Sequence, residues 1–159
     1  MNRQSSHVLI AEDEIICAFS LAFDLRRAGF RVTVTHDGRR ALQADAHDPA
    51  DLLLTDLQMP RLGGLELIRC MRAKRPMLPV IIMTGRTLTR GALDEVVGPT
   101  LCIAKPISDF ELYRALGSLL SPKSEPSRNH GADAAVCTSP HVALRRETVA
   151  VPGASWRDG

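Results

Sequence analysis

The chain has 159 residues, a formal charge of +2 and 45% apolar side chains, which suits one ordinary domain with residues to spare. Aromatics make up only 4%, with one Trp and one Tyr, which argues against a base-stacking surface, and the balanced charge argues against a polybasic nucleic-acid arm. Cys17, Cys70, Cys102 and Cys137 are widely spaced with no C-x-x-C, so neither a disulfide framework nor a zinc site is expected.

Taken in chain order, the first 121 residues alternate two apolar periods. Val8–Ala11 reads as a strand that runs straight into Glu12, Asp13 and Glu14, so neither a signal peptide nor a membrane span is expected, and a cytoplasmic location is. Ile15, Ala18, Phe19, Ala22 and Leu25 then recur at helical spacing, with Gly29 placed to end the helix. Arg31–Thr35 is the second strand, and Asp37-Gly38 opens a second helix through Ala41, Leu42 and Ala44. Leu52–Thr55 is the third strand, and a helix carrying Leu65, Ile68 and Met71 follows Gly63-Gly64. Pro79–Met83 is the fourth, followed by a weak helical segment near Leu93, Val96 and Val97 that Gly98-Pro99 stops. Leu101–Ala104 is the fifth, and Ser108-x-x-Glu111 is a capping box before Leu112, Leu116, Leu119 and Leu120.

The strands are short and mostly apolar throughout, which suits parallel strands buried on both faces. Five strand–helix repeats predict a doubly wound α/β domain over residues 6–121. Beyond it, residues 122–159 are rich in Ser, Pro and Ala with few large apolar residues, and read as a disordered tail that is neither basic nor acidic. The tail is too poor in amphipathic pattern for a helix-turn-helix, so no nucleic-acid partner and no membrane partner are expected.

In an open α/β sheet, ligands bind beyond the carboxyl ends of the strands. Those ends carry Glu12 and Asp13, then Asp56, then Thr84 and Gly85, then Lys105 and Pro106. Crowded carboxylates repel one another, so a cation is expected among them, and an all-oxygen donor set suits Mg²⁺ or Mn²⁺. The plain alternative is that acids after a strand only favour the next helix N-terminus, and Glu14 fits that description. Lys105 is one of three lysines in an Arg-rich chain, and a compact ammonium suits a phosphate or carboxylate site. Gly85 leaves room for close approach of a ligand to the backbone.

Together VLIAEDE (8–14), LLLTDLQMPRLGG (52–64), VIIMTG (80–85) and AKP (104–106), in this order, resemble the receiver domain of two-component response regulators. The resemblance implies a flavodoxin-like sheet of order 2-1-3-4-5 and a cis peptide between Lys105 and Pro106. It implies that Asp56 is the phosphoacceptor and that Glu12, Asp13, Asp56 and Gln58 hold Mg²⁺ (Gln58 through its carbonyl, Glu12 through water). Thr84, Gly85 and Lys105 would bind the phosphoryl oxygens. Thr84 would also act as a switch residue, together with the position of Cys102, where the family carries an aromatic ring and this chain a small side chain. Cys102 itself is expected to be a buried apolar residue of the fifth strand. Without a ring to move, ordering of residues 86–100 is the expected readout of phosphorylation.

The implied phosphodonor is a sensor histidine kinase or a histidine phosphotransfer protein. The implied output is docking on an unknown downstream protein by a stand-alone receiver, which is a switch rather than a turnover enzyme, with at most slow self-dephosphorylation. An aspartyl-phosphate phosphatase would want a second Asp where Gln58 stands. A nucleotide- or flavin-binding domain would want a Gly-rich loop where Glu12-Asp13-Glu14 stands. A receiver-like interaction module that works without phosphorylation is the remaining alternative.

Overall fold

A computed structural model describes residues 5–85 and 96–120. The expected tail at 122–159 and most of the expected switch segment and fourth helical segment lie outside these residues. In chain order the elements are β1 (His7–Ala11), α1 (Ile15–Arg27), β2 (Arg31–Thr35), α2 (Gly38–His47), β3 (Leu52–Asp56), α3 (Gly64–Lys74), β4 (Val80–Thr84), β5 (Thr100–Ala104) and α4 (Asp109–Leu120). Thus α4 is the fifth helical segment read from sequence. Val96 and Val97, assigned there to the fourth, are not helical.

The strands form one parallel sheet of order β2-β1-β3-β4-β5, a flavodoxin-like arrangement. Because side chains alternate along a strand, each central strand feeds two cores. Val8, Ile10, Leu52, Leu54, Ile81 and Met83 pack with Leu21, Leu25, Leu112 and Leu116 under α1 and α4. Leu9, Ala11, Leu53, Val80 and Ile82 pack with Leu67, Ile68 and Met71 under α2 and α3. Burying each such large side chain contributes about 1.5–3 kcal/mol. The edges β2 and β5 are only partly covered, so burial on both faces, expected of the mostly apolar runs, holds for the three central strands. Cys102, expected to be buried, is instead exposed, because it sits on the edge strand β5.

The helices begin and end where local chemistry requires. Gly29, at φ +91°, adopts the left-handed conformation that glycine tolerates best, and it closes α1 in a Schellman turn. Its N–H donates to Arg26 O and the Phe30 N–H to Leu25 O. Asp37 caps α2 by accepting from the Arg40 N–H at 2.9 Å. Ser108 caps α4, accepting the Glu111 N–H at 3.3 Å while its hydroxyl donates to the Glu111 carboxylate at 2.8 Å.

The buried seam of α1 is Ala18, Leu21, Ala22 and Leu25. Ile15 and Phe19, expected in that seam, are 59% exposed, and Ile16 and Phe23 are exposed with them. The small Ala18 and Ala22 face the sheet and let the helix lie close, which turns both phenylalanines outward.

Candidate functional site

All five strands end on one side of the sheet, so the residues just after them share one cleft. The Glu12 N–H still donates to Thr35 O at 3.0 Å, so the ladder between β1 and β2 runs one residue past β1. The Glu12 side chain is completely buried, while Asp13, one residue on, is exposed. His36, just past β2, lies with its Nδ1 3.0 Å from the Glu12 carbonyl oxygen, which steadies this turn. Asp56 closes β3 and Thr84 closes β4, both half-buried.

Lys105 crosses the cleft. Its ammonium is 2.6 Å from Asp56 Oδ2 and 2.7 Å from Glu12 Oε2. The Lys105 backbone N–H donates to Thr84 O at 2.8 Å, and the Lys105–Pro106 peptide is cis. Glu12 Oε2 is buried and meets the ammonium as an ion pair while accepting no hydrogen bond of good geometry. Burial pushes the Glu12 carboxyl above its ordinary range, and the nearby Lys105 charge opposes that rise without cancelling it. For Lys105 itself burial works against the ammonium, but its hydrogen bond to Asp56 and the close carboxylates of Asp56 and Glu12 outweigh it and raise its pKa.

Glu12, Asp13 and Asp56 each offer a carboxylate oxygen, and these oxygens lie within 4.8 Å of one another. Three carboxylates facing one ammonium leave negative charge to spare. A hard divalent cation fits this set on two grounds: the donors are all oxygen, and one buried carboxylate oxygen lacks a hydrogen bond.

Asp56 is held from its own loop. The Gln58 N–H donates to Asp56 Oδ1 at 3.1 Å, and the Gly64 N–H donates to Leu57 O at 3.0 Å. A Cβ at Gly64 would stand 2.1 Å from Asp56 O and 2.9 Å from Leu57 Cα, so only glycine lets α3 start this close to the phosphoacceptor candidate. At Gly85 a Cβ would meet no atom of the described residues within 4 Å.

The structure therefore gathers Glu12, Asp13, Asp56 and Lys105 in one cleft, with Gln58 touching Asp56 through its amide and Thr84 joined to Lys105 through the backbone. Cys102 is exposed on edge strand β5, while its neighbour Ile103 lies in the core. Sequence reasoning missed the Lys105–Glu12 contact, the His36 contact and the need for Gly64. The Gly63-Gly64 pair was the available signal for the last.

A family model described as the response regulator receiver domain matches residues 8–117. The sensory transduction protein RegX3 of Mycolicibacterium smegmatis is 36% identical over 152 residues, covering 92% of this chain and 64% of that protein. RegX3 of Mycobacterium tuberculosis is 39% identical over 117 residues, covering 71% and 50% respectively. The chain thus spans between half and two thirds of the length of these curated relatives. Among solved structures, the receiver domain of the sensor histidine kinase PA1611 from Pseudomonas aeruginosa superposes with a TM-score of 0.65 at 27% identity, covering 73% of this chain and 98% of that one. That structure has a magnesium ion coordinated in its active-site cleft. Chemotaxis protein CheY4 of Vibrio cholerae superposes with a TM-score of 0.69 at 24% identity, covering 74% of this chain and 100% of that one, a likeness of fold.

Proposed function

This chain belongs to the response regulator receiver domain family of two-component signalling, and within that role we propose that Asp56 accepts a phosphoryl group from a phosphohistidine on a partner protein. The observation that carries this reading is the Lys105 ammonium spanning Asp56 and buried Glu12, with Asp13 beside them. An Asp56 carboxylate oxygen attacks phosphorus in line with the donor imidazole. The P–O bond forms as the P–N bond breaks, and the imidazole leaves with the bonding pair and takes a proton from water. The product is an acyl phosphate, which water later hydrolyses. The domain is then a switch with at most slow self-dephosphorylation.

Glu12, Asp13 and Asp56, with the Gln58 carbonyl, are the residues that would hold Mg²⁺ or Mn²⁺, Glu12 acting through water. When bound, the ion supplies neutralisation of the phosphoryl charge, which is most of what such a transfer needs. Lys105 stands on Asp56 Oδ2 and follows the negative charge onto the phosphoryl oxygens, where the Thr84 hydroxyl and the Gly85 backbone also bind.

A protein donor fits the surface beside the cleft. Ile15, Ile16, Phe19 and Phe23 expose an apolar stripe on α1, the helix that follows Glu12-Asp13-Glu14. A sensor histidine kinase or a histidine phosphotransfer protein is the corresponding donor, and a downstream protein the corresponding target, in the cytoplasm. Among the described residues no helix is long and apolar enough to cross a membrane.

The test is phosphoryl uptake from acetyl phosphate followed by intact mass. Wild type with Mg²⁺ gains one hydroxylamine-labile phosphoryl group, and removal of Mg²⁺ or the change Asp56→Asn prevents it. Labelling that survives Asp56→Asn would reject the assignment.

A further inference from the structure

Outside the acid cleft, one charged cluster is unexplained by the phosphoacceptor reading. Asp37 is buried, its side chain 1% exposed, at the start of α2. Its Oδ1 accepts from the Arg40 N–H at 2.9 Å. Its Oδ2 receives the guanidinium of Arg61, with Nε at 3.1 Å and Nη2 also in contact. Arg61 comes from the loop between Asp56 and α3. It is the only non-glycine residue with positive φ among the described residues, at +69°. The Leu62 N–H donates to Pro60 O at 2.8 Å, which makes Arg61 the centre of a γ-turn.

A side chain other than glycine in this conformation is strained and persists only when its surroundings hold it. Two neighbours do so. The Asp37 fork grips the Arg61 side chain. Leu62 lies tight against α2, where a Cβ at Gly38 would stand 2.5 Å from Leu62 O. An exposed Arg–Asp pair contributes little in general. Here the Arg61 guanidinium is half exposed but lies over a carboxylate that is itself covered, so the pair fixes the Arg61 side chain in one place.

The same loop carries Gln58, whose N–H caps Asp56 Oδ1. Its far end is fixed where Gly64 meets Leu57 and Asp56. We propose that Arg61 is a positioning residue for phosphoryl transfer: anchored on Asp37, it holds the turn that orients Asp56. This rests on the phosphoacceptor reading. Arg61 need not touch the phosphoryl group. It acts through the loop, as outer-shell partners of a reacting carboxylate do.

The experiment compares the full chain with Arg61→Ala, Arg61→Gly, Asp37→Asn and the Arg61→Ala/Asp37→Asn double variant. For each, the initial rate of uptake from phosphoramidate is measured at saturating Mg²⁺, alongside the melting temperature. Both Arg61 variants are expected to be roughly tenfold slower than wild type. The double variant is expected to be little slower than Arg61→Ala alone, because the two residues act as one unit. Arg61→Gly relieves the positive φ and is expected to melt above Arg61→Ala while remaining as slow. That split separates positioning from stability. An Arg61→Gly protein as fast as wild type, or a rate that recovers in step with melting, would overturn the proposal. A wild-type chain that takes up no phosphoryl group, or takes it up equally after Asp56→Asn, rejects the phosphoacceptor reading itself, and with it the reaction Arg61 would serve. That outcome is visible without the Arg61 variants.

Discussion

Glu12 is buried with an oxygen that accepts no hydrogen bond, and its charge is tolerated because Lys105 lies 2.7 Å away. Its pKa is raised by burial, so the folded state holds this proton more tightly than the unfolded chain does. That contribution to stability is complete below the ordinary glutamate value and is lost as pH rises through the higher folded value. In metal-free protein, Glu12→Gln should therefore melt above wild type at neutral pH, and the gap should close on acidification. Adding Mg²⁺ should reverse the order, because the variant loses a carboxylate from the metal set. Melting curves across pH with and without Mg²⁺ check both signs. Lys105→Ala frees Asp56 and Glu12 from a competing cation, so Mg²⁺ should bind at least as tightly as to wild type by calorimetry. Uptake from acetyl phosphate should nonetheless fall, by roughly 10²-fold if the ammonium stabilises the transferring group as other positioned charges do. Weaker Mg²⁺ binding in Lys105→Ala would contradict this division of roles.

Between α3 and the start of β5, Arg72 does the work of a loop fastener. Its guanidinium is buried and donates to Leu78 O from Nε at 3.1 Å and Nη2 at 2.9 Å, to Pro99 O at 2.7 Å, to Val97 O at 2.9 Å and to Thr100 Oγ1 at 2.9 Å. Burial lowers its pKa. Among the described residues these partners are neutral oxygens, so hydrogen bonds from a planar fork hold this site. Arg72→Ala would leave several of those acceptors without a donor and should cost about 3 kcal/mol or more in chemical denaturation. Arg72→Lys should recover little of that, since a point ammonium cannot reach the same set. Gly98 explains how the guanidinium fits: at φ +118° it has no Cβ, and one placed there would stand 2.8 Å from Pro76 O and 3.0 Å from Arg72 Cζ. At α3, Gly64→Ala should displace the Asp56 loop and slow phosphoryl uptake more than it lowers melting.

Taken as a whole, the domain gathers the acid cluster and Lys105 beyond the carboxyl ends of its strands and exposes an apolar stripe on α1, the helix that follows Glu12-Asp13-Glu14. Exposed Ile16 contributes little to the core, so Ile16→Ser should change stability by within about 0.5 kcal/mol. Uptake from acetyl phosphate should be unchanged in that variant. Transfer from a phosphorylated histidine kinase should slow several-fold if α1 is where the donor docks. Equal loss with both donors would place the defect in the cleft instead. Cys102 gives edge strand β5 a small side chain that reaches solvent, but burial pushes its thiol up, so thiol labelling followed by mass spectrometry should modify it slowly at neutral pH and faster as pH rises.

The parallel sheet and the strand-end set Glu12, Asp13, Asp56 and Lys105 were legible in sequence for local reasons, whereas the strand order came only with the family resemblance. Apolar runs, Gly and Ser punctuation and polar residues at strand ends are properties of short segments, and the rule that ligands sit at strand ends joins them. The buried seam of α1 was not legible, because Ile15 and Phe19 satisfy a helical period as well as Leu21 does, and only packing against the sheet chooses the rotation. Nor was the exposure of Cys102, since the expected order puts its strand at an edge but does not say which of the strand's side chains the rest of the fold covers. The contact of Lys105 with Glu12, and of Arg61 with Asp37, joins residues far apart in the chain. Charge partners at that separation are decided by distance in three dimensions, and only the folded chain sets those distances.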